Sequence, residues 1–137
     1  MTIYLDANVF IFASLGSEID PRTHASRRFL NLVVKGDEDG FTSVLTVDEV
    51  VWAILRQKKD RTLALMQGVR LHNLPIKFIG VSEVLSLKSL RLMELYPSLK
   101  PRDALHGASC LAMGIKTIVS DDPDFTVIRG LTRVGLK

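Results

Sequence analysis

The sequence predicts an α/β sandwich with a central, mostly parallel sheet of four or five strands flanked by helices. Short β-branched and aromatic runs alternate along the whole chain with longer stretches whose apolar residues recur at helical spacing. The punctuation between these stretches is brief and local, with no repeat, low-complexity tract or linker to separate domains. A length of 137 residues with 47% hydrophobic content is enough to bury one core but not two, so residues 1–137 read as a single domain.

Residues 2 to 5, "TIYL", form the first predicted strand, and "ANVFIFASL" after Asp6 begins a helix, which leaves Asp6 at the strand's carboxyl end. Between Thr23 and Lys35, Ala25, Phe29, Leu32 and Val33 recur at helical spacing, and the turn-forming "GDEDG" stops that helix. "GFTSVL" allows a very short strand. After it, Val47, Val50, Val51, Ile54 and Leu55 make an apolar helical stripe from which Glu49 points away. Arg61 to Leu74 reads as a helix and "IKFIGV" as a strand. The helix "SEVLSLKSLRLMELY" spreads its apolar residues over an arc wide enough for two neighbours, one of which another subunit could supply. "PRDALHGASCLAMG" opens with proline where a first helical turn tolerates it and closes with glycine; the strand "KTIVS" and the short strand "LTRVGL" follow.

The composition bounds the setting. A lone cysteine, Cys110, cannot form an internal disulfide, and the first residues lack the charged and apolar regions of a signal peptide, so a reducing, cytoplasmic setting is expected. Charge interrupts every apolar run before the ~20 residues a membrane helix requires. A net charge of +3 mildly favours a polyanionic partner.

In parallel sheets, ligands bind beyond the carboxyl ends of the strands, near the point where strand order reverses. Asp6 lies at such an end, and so do Asp121 and Asp122 after "TIVS"; Asp103 falls in the first turn of its helix and Glu49 on the polar side of its own. Taken singly, these acids have plain readings: an N-cap for Asp6, a macrodipole partner for Asp103, a solvated side chain for Glu49, and an Asp-rich turn for "DDPD". Converging on one edge, they would repel one another unless protons or cations intervened, and the natural occupant of such oxygen-only ligands is Mg²⁺ or Mn²⁺. A hard ion of this kind keeps coordination positions open for a phosphate oxygen and a water, which suits phosphodiester hydrolysis. His24, His72 and His106 lack the paired spacing of a zinc site; His106 and Cys110 read as structural. Trp52 lies off its helix's main stripe, where partial burial in this chain's own core competes with an interface role.

Four segments, "YLDANVF", "LTVDEVVWAI", "KPRDALHGASCLAMG" and "IVSDDPDF", together resemble the acidic motifs of PIN-domain nucleases, and most of all the small VapC-type toxins. The resemblance spans essentially the entire chain in the family's order. It implies a PIN-like three-layer sandwich and places Asp6, Glu49 and Asp103 at the first three acidic positions. The fourth falls within Ser120–Phe125: Asp122 suits the family's pattern, Asp121 stands next to it, and Asp124 is an auxiliary metal ligand. The resemblance further implies that Asn8 supports the metal-binding loop and Ser120 positions the fourth carboxylate. An RNA substrate, a small antitoxin partner and a homodimer follow from the same likeness. An acidic centre that receives a polyanion needs positive charge on its rim, for which Arg102, beside Asp103, is the first candidate. Two other functions compete. A haloacid-dehalogenase-like phosphatase would form an aspartyl phosphate on Asp6, but wants a second Asp where Asn8 stands; a catalytically silent PIN-like scaffold would not need every acidic position filled.

Overall fold

In a computed structural model describing residues 1–137, five strands form one parallel sheet. They are β1 (Thr2–Leu5), β2 (Asp39–Ser43), β3 (Ile76–Ile79), β4 (Thr117–Val119) and β5 (Thr132–Val134), in the spatial order β3-β2-β1-β4-β5. Every neighbouring pair runs parallel, with Tyr4 opposite both Phe41 and Ile118. The chain therefore builds outward from β1 to β3 on one side, then returns to lay β4 and β5 on the other. The strand order reverses between β1 and β4, the place beyond whose carboxyl ends parallel sheets bind their ligands.

The connecting helices are α1 (Ala7–Leu15), α2 (Pro21–Val34), α3 (Val44–Lys58), α4 (Arg61–His72), α5 (Glu83–Leu95) and α6 (Pro101–Ala112). Their starts follow from local chemistry. Asp6, Asp20, Ser43, Asp60 and Ser82 each accept a hydrogen bond from a backbone N–H of the first turn, satisfying donors that have no partner within the helix. Two boundaries differ from the sequence reading for this reason. The capping hydroxyl of Ser43 starts α3 at Val44, so β2 begins one residue earlier than "GFTSVL" and ends at Ser43. Asp20 with Pro21 at N1 starts α2 two residues before Thr23. The "DDPD" stretch is more than a turn: Asp122 caps a short 3-10 helix over Pro123–Val127.

β1 is buried on both faces, and its alternation splits the core in two. Ile3 and Leu5 pack with Val9, Phe10, Val50, Ile54, Ala64 and Leu71 under α1 to α4. Tyr4 packs with Ile118, Leu85, Leu92, Ala104, Ala108 and Phe125 under α5 and α6. Each large aliphatic side chain so buried contributes about 1.5–3 kcal/mol. Gly40 in β2 passes close to α2: a Cβ there would lie 2.7 Å from Val33 Cγ1.

α5 docks against α6 through Leu85 and Leu92 but leaves Val84, Leu87 and Leu90 exposed, so the second neighbour that its wide apolar arc called for is not found within this chain. Trp52 is 52% exposed: its position off the α3 stripe leaves about half of it covered by this chain and half facing outward. No helix is long and apolar enough to cross a membrane.

Candidate metal centre

At the carboxyl ends of β1 and β4 two turns grip each other. Asp6 ends β1 and caps α1: its Oδ1 accepts the Ala7 N–H at 2.8 Å, while Oδ2 accepts from the Ser120 hydroxyl at 2.6 Å and the Asn8 amide at 3.1 Å. Asn8 also donates to Ser120 Oγ at 3.1 Å and accepts the Asp121 N–H at 3.2 Å through its own carbonyl oxygen. Ser120 Oγ in turn accepts the Asp122 N–H at 3.0 Å. Asn8 and Ser120 thus stitch the turn after β1 to the turn after β4. Asp6 is only 6% exposed, and burial raises its carboxyl pKa even though His106 and the Ser120 hydrogen bond oppose the rise.

Three carboxylates come together near these turns. Asp103, Asp122 and Asp124 each place a side-chain oxygen within 4.8 Å of the others. Asp103 arrives from the first turn of α6, where it also takes a long hydrogen bond of 3.4 Å from the Lys100 N–H. Asp122 is oriented by capping the 3-10 helix, its Oδ1 accepting the Asp124 N–H at 2.9 Å. Burial first, and then the neighbouring Asp122 charge, push the Asp103 carboxyl up to about 6. An oxygen-only trio whose members hinder one another's ionisation is the donor set that a hard divalent cation relieves, so these residues fit Mg²⁺ or Mn²⁺.

The acids named from sequence separate here. Asp122 and Asp124 join Asp103, whereas Asp121 turns the other way, its Oδ2 held 3.1 Å from Arg22, which also grips Asp20 at 2.8 Å. Asp6 stands outside the trio, close enough for its charge to raise Asp103 further. Glu49 reaches from α3, and Arg102 is exposed beside Asp103 at the start of α6.

Sequence reasoning missed three residues around the site. His106 is buried, as a structural reading expects, but its partners are the site's own acids: Nε2 lies 2.5 Å from Glu49 Oε1 and 3.5 Å from Asp6 Oδ1, while Nδ1 lies 2.6 Å from the Tyr4 hydroxyl. Burial works against a charged imidazole; the Glu49 hydrogen bond and the charges of Asp6, Glu49 and Asp103 outweigh it, and the His106 pKa is raised. One signal was available: His106 follows Asp103 by three residues, so both lie on one face of α6. Tyr4 and Arg22 carried no comparable sign. Cys110 lies in the core, where burial pushes its thiol well above the ordinary range and leaves it inert.

Several solved structures share this architecture. VapBC2 from Rickettsia felis, crystallised with a DNA fragment from its promoter, superimposes with a TM-score of 0.72 at 17% identity, with 98% of each chain covered. VapC20 from Mycobacterium tuberculosis, described as a sarcin-ricin loop cleaving toxin, also gives 0.72 at 20% identity, covering 90% of this chain and 92% of that one. A toxin–antitoxin complex from Klebsiella pneumoniae gives 0.68 at 18% identity, with 95% of each chain covered. No curated protein matches the sequence. At these identities the likeness is one of fold, and the sequence itself supplies the rest: the profile of the PIN domain matches residues 3–131, and the chain belongs to the PIN-domain family.

Proposed function

We propose that residues 1–137 form one PIN domain acting as a metal-dependent endoribonuclease, the toxin of a toxin–antitoxin pair, in the cytoplasm. The observation that carries this reading is the convergence of Asp103, Asp122 and Asp124 at the strand-order reversal, with Asp6 and Glu49 alongside. A bound Mg²⁺ or Mn²⁺ supplies positive charge against phosphate oxygens and makes a nearby water more acidic. Asp103, Asp122 and Asp124 are the residues to hold it, as the hindered ionisation of Asp103 suggests. Asp6, pinned by Ala7, Asn8 and Ser120, adds negative charge behind the trio without having to rotate. Arg102 sits where an incoming phosphate backbone needs a cation.

A covalent route has little support. Ser120 Oγ is fully buried and engaged with Asp6, Asn8 and the Asp122 N–H, so it could attack a phosphate only by surrendering these hydrogen bonds. Asp6 as a phosphoryl acceptor would have to surrender hydrogen bonds at both oxygens, and Asn8 occupies the place of the acid such a phosphatase needs.

Partner proposals follow from the similar structures and from the surface. The VapBC2 and Klebsiella structures are toxin–antitoxin assemblies, and we extend to this chain a small antitoxin protein as its partner. The exposed Val84, Leu87 and Leu90 on α5 suit a homodimer, and light scattering of purified protein distinguishes a dimer from a monomer.

Cleavage of a mixed, structured RNA pool by purified protein with Mg²⁺, with Mn²⁺ and with EDTA tests the central reading, with Asp103→Asn as control. Cutting that requires the metal and disappears in the variant is the expected result. Cutting that persists in EDTA, or in Asp103→Asn, would contradict it.

A further inference from the structure

We propose that His106 is a positioning residue: with Tyr4 behind it, it aims the Glu49 carboxylate at the acidic centre and holds it beside Asp6. The inference rests on the nuclease reading above and adds to it a residue to which that reading gives no role.

The geometry is a three-membered chain of hydrogen bonds crossing the end of the sheet. Tyr4 points from β1 into the layer of α5 and α6, where its hydroxyl meets His106 Nδ1 at 2.6 Å. From the other edge of the imidazole, Nε2 meets Glu49 Oε1 at 2.5 Å, and Glu49 belongs to α3 in the opposite layer. The same Nε2 lies 3.5 Å from Asp6 Oδ1. Tyr4 and His106 are fully buried, whereas the Glu49 side chain is 18% exposed, so the chain runs from the core outward to the rim.

The chemistry gives this chain a direction. A tyrosine hydroxyl donating to Nδ1 leaves the ring's hydrogen on Nε2, and a doubly protonated ring carries a hydrogen there as well. In both forms Nε2–H donates to Glu49, so the aim of the carboxylate does not depend on the charge of the imidazole. Glu49 makes no other side-chain hydrogen bond, and its flexible stem would otherwise sample several rotamers. Two carboxylates as near as Asp6 and Glu49 also repel each other, and one N–H placed between them offsets that repulsion. A histidine serving only to fill the core would need partners too, but not two acids of one functional edge drawn from separate elements. Partners that orient ligating side chains typically cost 10–100-fold in metal affinity or activity when removed.

The test compares wild type, His106→Asn, His106→Gln and Tyr4→Phe. An asparagine amide stays near Tyr4 but falls short of Glu49; a glutamine amide reaches the place of Nε2 and can donate to it. Mn²⁺ affinity is read from the free-ion signal in electron paramagnetic resonance, RNA cleavage from kcat and KM, and the fold from melting in EDTA. His106→Asn is expected to weaken Mn²⁺ binding and lower kcat about 10–100-fold with KM for RNA unchanged. His106→Gln should recover most of that loss, and Tyr4→Phe should show a smaller loss of the same kind. Equal Mn²⁺ affinity and kcat in wild type and His106→Asn, with only the melting temperature lowered, would overturn the positioning role while leaving the nuclease reading intact. Wild type that neither binds Mn²⁺ nor cuts RNA would overturn both. Should His106→Asn fail to fold, Tyr4→Phe decides, because it keeps the ring and deletes only the hydroxyl: unchanged Mn²⁺ affinity and kcat would overturn the role.

Discussion

Asp121 and Asp122 are adjacent in sequence and opposite in circumstance. Asp122 shares its space with Asp103 and Asp124, whereas Asp121 is neutralised by Arg22. Asp122→Asn should therefore lower RNA cleavage by at least about 100-fold, on the scale of lost electrostatic stabilisation at a reacting centre, while Asp121→Asn changes it by less than about 10-fold. Equal losses in a side-by-side cleavage assay would count against the assignment of roles. Asp6 is a poorer target for substitution, because an Asn amide at Oδ2 would present hydrogens to the Ser120 and Asn8 donors. The Asp103 carboxyl, raised to about 6, also makes a claim about stability. A carboxyl that holds its proton more tightly when folded contributes stability below its unfolded pKa, and that contribution is lost as pH rises through the folded value. In EDTA, wild type should thus lose stability relative to Asp103→Asn between about pH 4 and about pH 7, and Mn²⁺ should restore it at the upper end. Parallel melting curves for the two proteins across that range would refute the shift. Asp6, Asp103 and Asp122 were legible in the sequence because each follows a strand or opens a helix, and Glu49 because it lies off the apolar stripe of its own helix. His106 was not, since its partners Glu49 and Tyr4 lie 57 and 102 residues away along the chain and no local pattern records such pairings.

Element by element, the helices were easier to read than their edges. Apolar spacing marked α2, α3 and α5 and proline and glycine punctuation marked α6, but the first residue of most helices depends on which side chain caps it, and a cap is a single hydrogen bond within a loop. Ser43 illustrates this: its hydroxyl accepts the Leu45 N–H at 3.0 Å, ends β2 and sets the start of α3, the helix that carries Glu49. Ser43→Ala should cost about 1 kcal/mol, seen as a lower urea midpoint with an unchanged slope. An unaltered midpoint would mean that another donor or water fills the cap. The 3-10 helix after Asp122 stayed hidden for a related reason. Asp before proline signals a turn, and whether that turn continues for another residue or two depends on burial of Phe125, a tertiary fact. The wide apolar arc of α5 is covered by this chain on one side only, through Leu85 and Leu92, and Val84, Leu87 and Leu90 stay exposed.

At the scale of the molecule, strand order is what no local pattern contains. Alternation of strands and helices implied a parallel sheet, yet only the assembled order β3-β2-β1-β4-β5 sets β1 beside β4 and so brings Asp6, asparagine and serine partners, and the Asp103–Asp122–Asp124 trio to one edge. Both faces of β1 are buried, which makes the central strand the rigid base from which these groups project. The function proposed for this chain requires that edge to be a divalent-cation centre. Anomalous scattering from a crystal grown with Mn²⁺ locates the ion directly. A peak about 2.1–2.3 Å from carboxylate oxygens of Asp103 and Asp122, with Asp124 close by, is the expected result. No Mn²⁺ peak at this edge, with the carboxylates ordered and the ion bound elsewhere, would contradict it.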